Sequence, residues 1–336
     1  SVEAVDGVLK VDPKGLGGRK VFVTLCCAFR YGSDDLDVIG LSFRRDIWVQ
    51  RHQIYPPPGG SLPPNTPIQD ALMKKCGDQG HPFTFTIPTN LPCSVSLQPG
   101  PNDKGKSCGV DYEVKAYIAN EPNNPDEKIS KKDISRLIIR KIQFAPQNNK
   151  AGPKAEIDKS FMMSDKPLHL EASLEKEMYH HGDSVNVKVK VNNETSKTVK
   201  KIRVQVDQVA DVVLYSTDKY NKPIAVQEFM ETIEANSTFE KTFSITPTLA
   251  ANKEAHGVAV DGKLKHEDTN LASTTLFNDS SKEVQGILVS YKVKVTLVAS
   301  AGGLLGDLTA SDVTIELPVQ LMCPKPADVD VSALKE

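Results

Sequence analysis

Residues 21–50 read VFVTLCCAFRYGSDDLDVIGLSFRRDIWVQ. VFVTLCCAFRY is rich in β-branched and aromatic side chains, which suit a pleated, half-buried surface, and SFRRDIWVQ at the far end has the same character. Two such runs joined by a short segment make a hairpin. Its loop carries Asp34, Asp35 and Asp37, and continues directly into Val38, Ile39, Gly40 and Leu41. An apolar run at a loop tip finds no neighbouring surface to cover it, so this loop is suited to insertion into a partner.

The same two-residue period runs through the rest of the chain. Val185, Val187, Val189 and Val191 share one face of an extended segment, and Asn186, Lys188 and Lys190 share the other. Ile202, Val204 and Val206 repeat the scheme, as do Val289, Tyr291, Val293, Val295 and Leu297. Such alternation marks half-buried antiparallel strands. Short strands separated by Pro, Gly and Asn clusters predict an all-β protein made of antiparallel, immunoglobulin-like β-sandwich domains. One segment has the helical period. PIQDALMKKCG (67–77) offers Pro67 in the first turn, an apolar stripe of Ile68, Leu72 and Cys76, and a closing Gly77. It is read as one short α-helix laying that stripe on a sheet of the first domain. FAPQNNKAGPKAE (144–156) lacks apolar spacing, so a short hinge is placed at 147–155, between a first domain at 1–146 and a second at 156–336.

At 336 residues the chain exceeds the size at which one core usually stops growing, which agrees with two domains. Forty-one basic and 43 acidic residues leave a formal net charge of −2, without the basic excess of a nucleic-acid binder. No apolar run approaches the roughly 18 residues of a membrane span, and SVEAVDGVLKVDP lacks the form of a signal peptide, so a cytoplasmic protein is expected. The six cysteines show no CxxC spacing and are read as free core thiols.

Several motifs are set aside on physical grounds. Residues 100–107, GPNDKGKS, satisfy the G-x-x-x-x-G-K-[ST] pattern, but a phosphate-binding loop needs a helix after it. CGVDYEVKAYI alternates instead, as a strand does. PNTP (64–67) fits a PxxP ligand and is read as a loop capping the helix. Ile315-Glu316-Leu317 is read as core strand rather than a clathrin-binding motif. His180 and His181 are adjacent on an extended segment and point apart, so no shared metal is expected between them. No Ser/His/Asp, Cys/His or paired-carboxylate set stands out, and the chain is read as a non-enzyme with no cofactor and no metal.

Residues 29–47, FRYGSDDLDVIGLSFRRDI, resemble the signature of the arrestin family. The resemblance continues through LPCSVSLQPGP (91–101), KSCGVDYEVKA (106–116), FMMSDKPLHLEASLEKE (161–177), DGKLKHEDTNLAS (261–273) and GGLLGDL (302–308), and so covers nearly the whole chain. It implies a two-sandwich fold with a hinge, and an adaptor recruited from the cytoplasm to the plasma or photoreceptor membrane. Such a protein binds active, phosphorylated G-protein-coupled receptors, terminates G-protein signalling and scaffolds endocytic or signalling partners such as clathrin adaptors and kinases. A phosphoinositide- or cargo-binding trafficking adaptor of the same fold is the alternative. Family sequences usually carry one more strand ahead of VDGVLKVDP and a tail that folds back, so this form is expected to have a weaker lock and to be partly pre-activated.

The resemblance also assigns residues. In SRLIIRKIQF (135–144), Arg140 shares a face with Ile138 and Ile142, and a buried arginine requires carboxylate partners. DGKLKHED supplies Asp261 and Asp268; the matching family residues form a polar core across the domain interface, where the arginine senses phosphate. Lys75 and Lys265 match phosphate-binding positions, and Lys128, Lys131 and Lys132 match a site for inositol phosphates or phosphoinositides, with these cations expected to converge on Arg140. Asp37, Val38, Ile39, Gly40 and Leu41 match the loop that enters the receptor core.

Overall fold

The computed structural model describes residues 3–31, 43–99, 108–147, 149–162, 164–214, 219–264, 269–276, 284–300 and 311–326. The hairpin read from residues 21–50 has its arms in β2 (Lys20–Tyr31) and β3 (Phe43–Tyr55), paired antiparallel from Val21↔Tyr55 to Tyr31↔Phe43. Its loop, with Asp37, Val38, Ile39, Gly40 and Leu41, lies outside the described residues, as do Asp268, Lys265 and the 100–107 segment. The stretch after that last segment is strand β6 (Cys108–Ala119), as its alternation required.

β6 is the axis of the first sandwich. It pairs with β2 along one edge, while the other edge takes β5 (Val95–Leu97) and then β7 (Ile134–Ile139). β1 (Glu3–Lys10) and β4 (Gly80–Ile87) form a two-stranded sheet that carries the helix. Phe29, Leu25, Phe85 and Tyr112 are among the largest fully buried side chains between these layers. Each contributes roughly 1.5–3 kcal/mol of burial.

The helix α1 spans Pro67–Cys76, and its start is fixed locally. Thr66 accepts from the Gln69 amide while the Gln69 side chain accepts from the Thr66 amide, which satisfies two otherwise open donors at the first turn. Its packing differs from the apolar stripe expected. Ile68 is exposed, and the buried position is Gln69, whose Nε2 donates to the Phe83 carbonyl at 2.8 Å and to Thr84 Oγ1 at 3.1 Å. The helix is held on β4 by a hydrogen-bonded amide because the sheet beneath it presents backbone carbonyls.

The second sandwich comprises one sheet of β14 (Ser237–Ile245), β11 (Val185–Asn193), β9 (Leu168–Leu174) and β8 (Lys154–Lys159), in that order, and another of β10 (Met178–His180), β17 (Ser311–Met322), β16 (Ile287–Ser300), β12 (Thr198–Val212) and β13 (Lys219–Phe229). In β11 (Val185–Asn193) the four alternate valines are buried while Lys188 and Lys190 are exposed. In β17 (Ser311–Met322), Ile315 and Leu317 are core residues and Glu316 points out, which fits the reading as a strand. β8 (Lys154–Lys159) begins inside the segment expected to be the hinge. Cys26, Cys27 and Cys323 are buried, as expected of core thiols, but Cys76, Cys93 and Cys108 are only half-buried.

One short strand joins the two halves. β15 (Ala259–Asp261) comes from the second half of the sequence yet pairs with β5 in the sheet of the first, Asp261 opposite Val95. Gln208, buried on β12 (Thr198–Val212), holds the same strand from the other side, donating to the Ala259 carbonyl at 2.9 Å and accepting from its amide at 2.7 Å. β15 is therefore bonded to both sandwiches.

Candidate functional site at the seam between the sandwiches

Arg140 directly follows β7, and its Nη1 donates to the Gly262 carbonyl at 3.2 Å. Its Nε is sealed from solvent. The approach is close because Gly262 has no side chain: a Cβ there would lie 2.7 Å from Ser94 Cβ and 3.4 Å from Arg140 Cγ. Ser94 completes the junction, taking the Lys141 amide on its hydroxyl at 2.9 Å and giving its own amide to the Lys141 carbonyl at 2.9 Å. Sequence reading singled out neither Ser94 nor Lys141. Lys141 is nearly buried, and its Nζ donates to the Leu91 carbonyl at 2.7 Å with Glu3 at 3.4 Å. It lines a cleft of about 810 Å³ with Asn90, Cys93, Asp261, Ser273 and Gln285.

Asp261 does not take the place expected for it. Successive side chains of a strand point to opposite faces, and the position of Gly262 faces Arg140, so the Asp261 carboxylate lies on the other side of the backbone. There it accepts from the Ser273 amide at 2.7 Å, the Ser273 hydroxyl at 2.9 Å and the Cys323 thiol at 3.4 Å, with His181 Nε2 at 3.6 Å. The described link between Arg140 and the Asp261 segment runs through the Gly262 carbonyl. The expectation that the Asp261 carboxylate faces Arg140 is revised accordingly.

Desolvation disfavours the charged form of His181, but hydrogen bonds to Asp261 and Cys323 outweigh it and raise the imidazole to about 9 from an ordinary 6.5. A raised folded-state value stabilises the fold below about 6.5, and the benefit disappears as pH climbs through 9. The metal-free protein is therefore expected to lose of the order of 3 kcal/mol of this contribution between pH 6.5 and 10. Urea unfolding across that range, compared with His181→Gln, measures it; parallel profiles for the two proteins would refute the assignment.

Lys128, Lys131 and Lys132 do not gather around Arg140. Lys128, Lys131 and Lys132 are exposed ahead of β7, whereas Arg140 lies past its other end. The eight residues from Lys132 to Arg140 put them roughly 25 Å apart if extended. Lys75 is exposed in the last turn of α1, where basic charge suits the helix dipole.

Comparison with known sequences decides the family. The family model described as "Arrestin (or S-antigen), N-terminal domain" matches residues 1–145, and "Arrestin (or S-antigen), C-terminal domain" matches residues 164–326. The chain belongs to the arrestin family. It is 57% identical over 333 residues to Arrestin-C of Lithobates pipiens, covering 99% of this chain and 85% of that protein. Arrestin-C of Homo sapiens is 54% identical, with 97% and 84% covered, and Arrestin red cell isoform 3 of Oncorhynchus mykiss is 53% identical, with 98% and 79% covered. The two matched regions follow the sheets of this arrestin except at β15, which falls within residues 164–326 yet pairs with the sheet of the first half, and at β8, which lies in neither region. Among the described residues, no helix of this arrestin is long and apolar enough to cross a membrane.

Proposed function

We propose that this arrestin is a non-enzymatic adaptor that caps active, phosphorylated G-protein-coupled receptors and so ends G-protein coupling. The observation that carries the reading is the position of Arg140, a cation packed where the two sandwiches meet and bonded to the backbone of the loop that follows β15. A phosphorylated side chain carries close to two negative charges and three acceptor oxygens, so it competes for the guanidinium against both the Gly262 carbonyl and a singly charged carboxylate. Drawing Arg140 away frees the loop that follows β15 and carries Asp268, and unfastens one connection between the sandwiches. Asp268 is the charged partner proposed for Arg140 within that loop. The Asp37–Leu41 segment is proposed to enter the receptor core, Lys75 and Lys265 to hold phosphates, and the exposed Lys128, Lys131 and Lys132 to take inositol phosphates.

The test is binding to one receptor in four states, active or inactive and phosphorylated or not, for the parent and for a chain lacking residues 37–41. Strong binding to the active, phosphorylated state alone, lost on deletion, is expected. Equal binding in all four states, with lipid or cargo binding that survives the deletion, would favour a trafficking adaptor of the same fold.

A further inference from the structure

The face of β15 turned away from Arg140 carries its own chemistry. His181 Nε2, Asp261 Oδ2 and Cys323 Sγ lie within 4.8 Å of one another, the imidazole and carboxylate are 8% and 9% exposed, and Cys323 is 7% exposed. We propose that these three side chains, with the Ser273 hydroxyl at a fourth corner, bind a divalent cation of zinc type at the seam between the sandwiches.

The distances from Asp261 to His181 and Cys323 are those of a coordination shell, and the Ser273 hydroxyl sits closer, at hydrogen-bond distance. Zinc bonds of about 2.0–2.2 Å to nitrogen and oxygen and 2.3 Å to sulfur, opened to a tetrahedral angle, leave ligand atoms about 3.4–3.6 Å apart. The carboxylate oxygen is 3.6 Å from the imidazole nitrogen and 3.4 Å from the thiol sulfur. Ser273 Oγ is 3.0 Å from His181, 2.9 Å from Asp261 and 3.6 Å from Cys323. Charge agrees as well. A neutral imidazole, a thiolate and a carboxylate sum to two negative charges, which a divalent ion cancels, so the loaded site is neutral in a place where uncompensated charge is costly. One nitrogen, one sulfur and one carboxylate oxygen favour zinc over magnesium or calcium, which take oxygen shells. A second grouping, Glu156, His169 and Glu171, offers no sulfur and is half-buried at most, with Glu156 exposed and Glu171 already paired to Lys154 at 3.0 Å.

The three ligands come from separate segments. His181 follows β10 (Met178–His180), Asp261 ends β15, and Cys323 follows β17. Cys323 also forms a parallel bridge to Phe144, and its carbonyl accepts from the Ala145 amide at 2.8 Å, so it touches the start of the connection between the sandwiches. A bound ion would clamp these pieces to β15. The inference concerns metal affinity and stands apart from the receptor reading.

The test uses the full chain, stripped of metal under reducing conditions and titrated with cobalt(II) alone. One equivalent should give a near-ultraviolet thiolate-to-cobalt band that zinc then abolishes. Cys323→Ser should lose the band, His181→Gln should weaken binding by roughly 10- to 100-fold, and Cys93→Ser should behave as the parent. X-ray absorption of the zinc-loaded parent, which needs no variant to fold, should show one sulfur at about 2.3 Å. Absence of a thiolate band in the parent, its survival in Cys323→Ser, or a zinc shell without sulfur overturns the proposal. No receptor is present in any arm, so none of these outcomes bears on receptor binding.

Discussion

Asp261→Ala is expected to lower the stability of the metal-free chain by about 3–5 kcal/mol, because it leaves a buried cation without its counter-charge. The carboxylate is the common acceptor for the Ser273 amide, the Ser273 hydroxyl and the Cys323 thiol, and the side chain it faces, His181, is held protonated there. Truncation strands all of them in a site that water barely reaches, and each unsatisfied donor adds its own desolvation cost. Asp261→Asn keeps an acceptor for the Ser273 amide and removes only the charge, so it should cost less. Urea unfolding followed by circular dichroism measures both. A loss below about 1 kcal/mol for the alanine variant would mean that the cluster contributes little to holding the seam.

Arg140→Glu is expected to remove most of the dependence on receptor phosphorylation. The substitution takes the donor from the Gly262 carbonyl and sets a negative charge against Asp268, the partner proposed for Arg140, so the contact that phosphate has to break is already broken. Coupling between two sites is typically 1–3 kcal/mol, so the ratio of affinities for phosphorylated over unphosphorylated active receptor should fall by roughly 5- to 150-fold. The fall should come from tighter binding to the unphosphorylated form. Arg140→Gln separates charge reversal from loss of charge and should give a smaller change in the same direction. If Arg140→Glu keeps the ratio of the parent, Arg140 is not the phosphate sensor.

Much of the architecture was legible because strands write their exposure into every second residue. The valines of β11 and the aliphatic run of β16 (Ile287–Ser300) could be assigned to a buried face without any knowledge of what covers them. The helix was legible from Pro67 to Gly77, but the face it buries was not. Hydrophobic spacing pointed to Ile68, while the sheet below offered carbonyls that only Gln69 could use. The cations were misjudged for a different reason. Lys128, Lys131 and Lys132 are close to Arg140 along the chain, and an intervening strand converts that nearness into distance.

The sequence by itself determined the all-β class and the arrestin family, since periodicity and a long motif are properties of the chain read in order. Only the tertiary structure decided that Asp261 turns from Arg140 toward His181, Ser273 and Cys323. His181 and Cys323 lie far from Asp261 along the chain in opposite directions, and no spacing rule links residues brought together by the pairing of β15 with a sheet from the other half of the molecule. The direction of a side chain at such a seam is set by strand alternation and by the missing Cβ of its neighbour Gly262, and both depend on which backbone lies alongside.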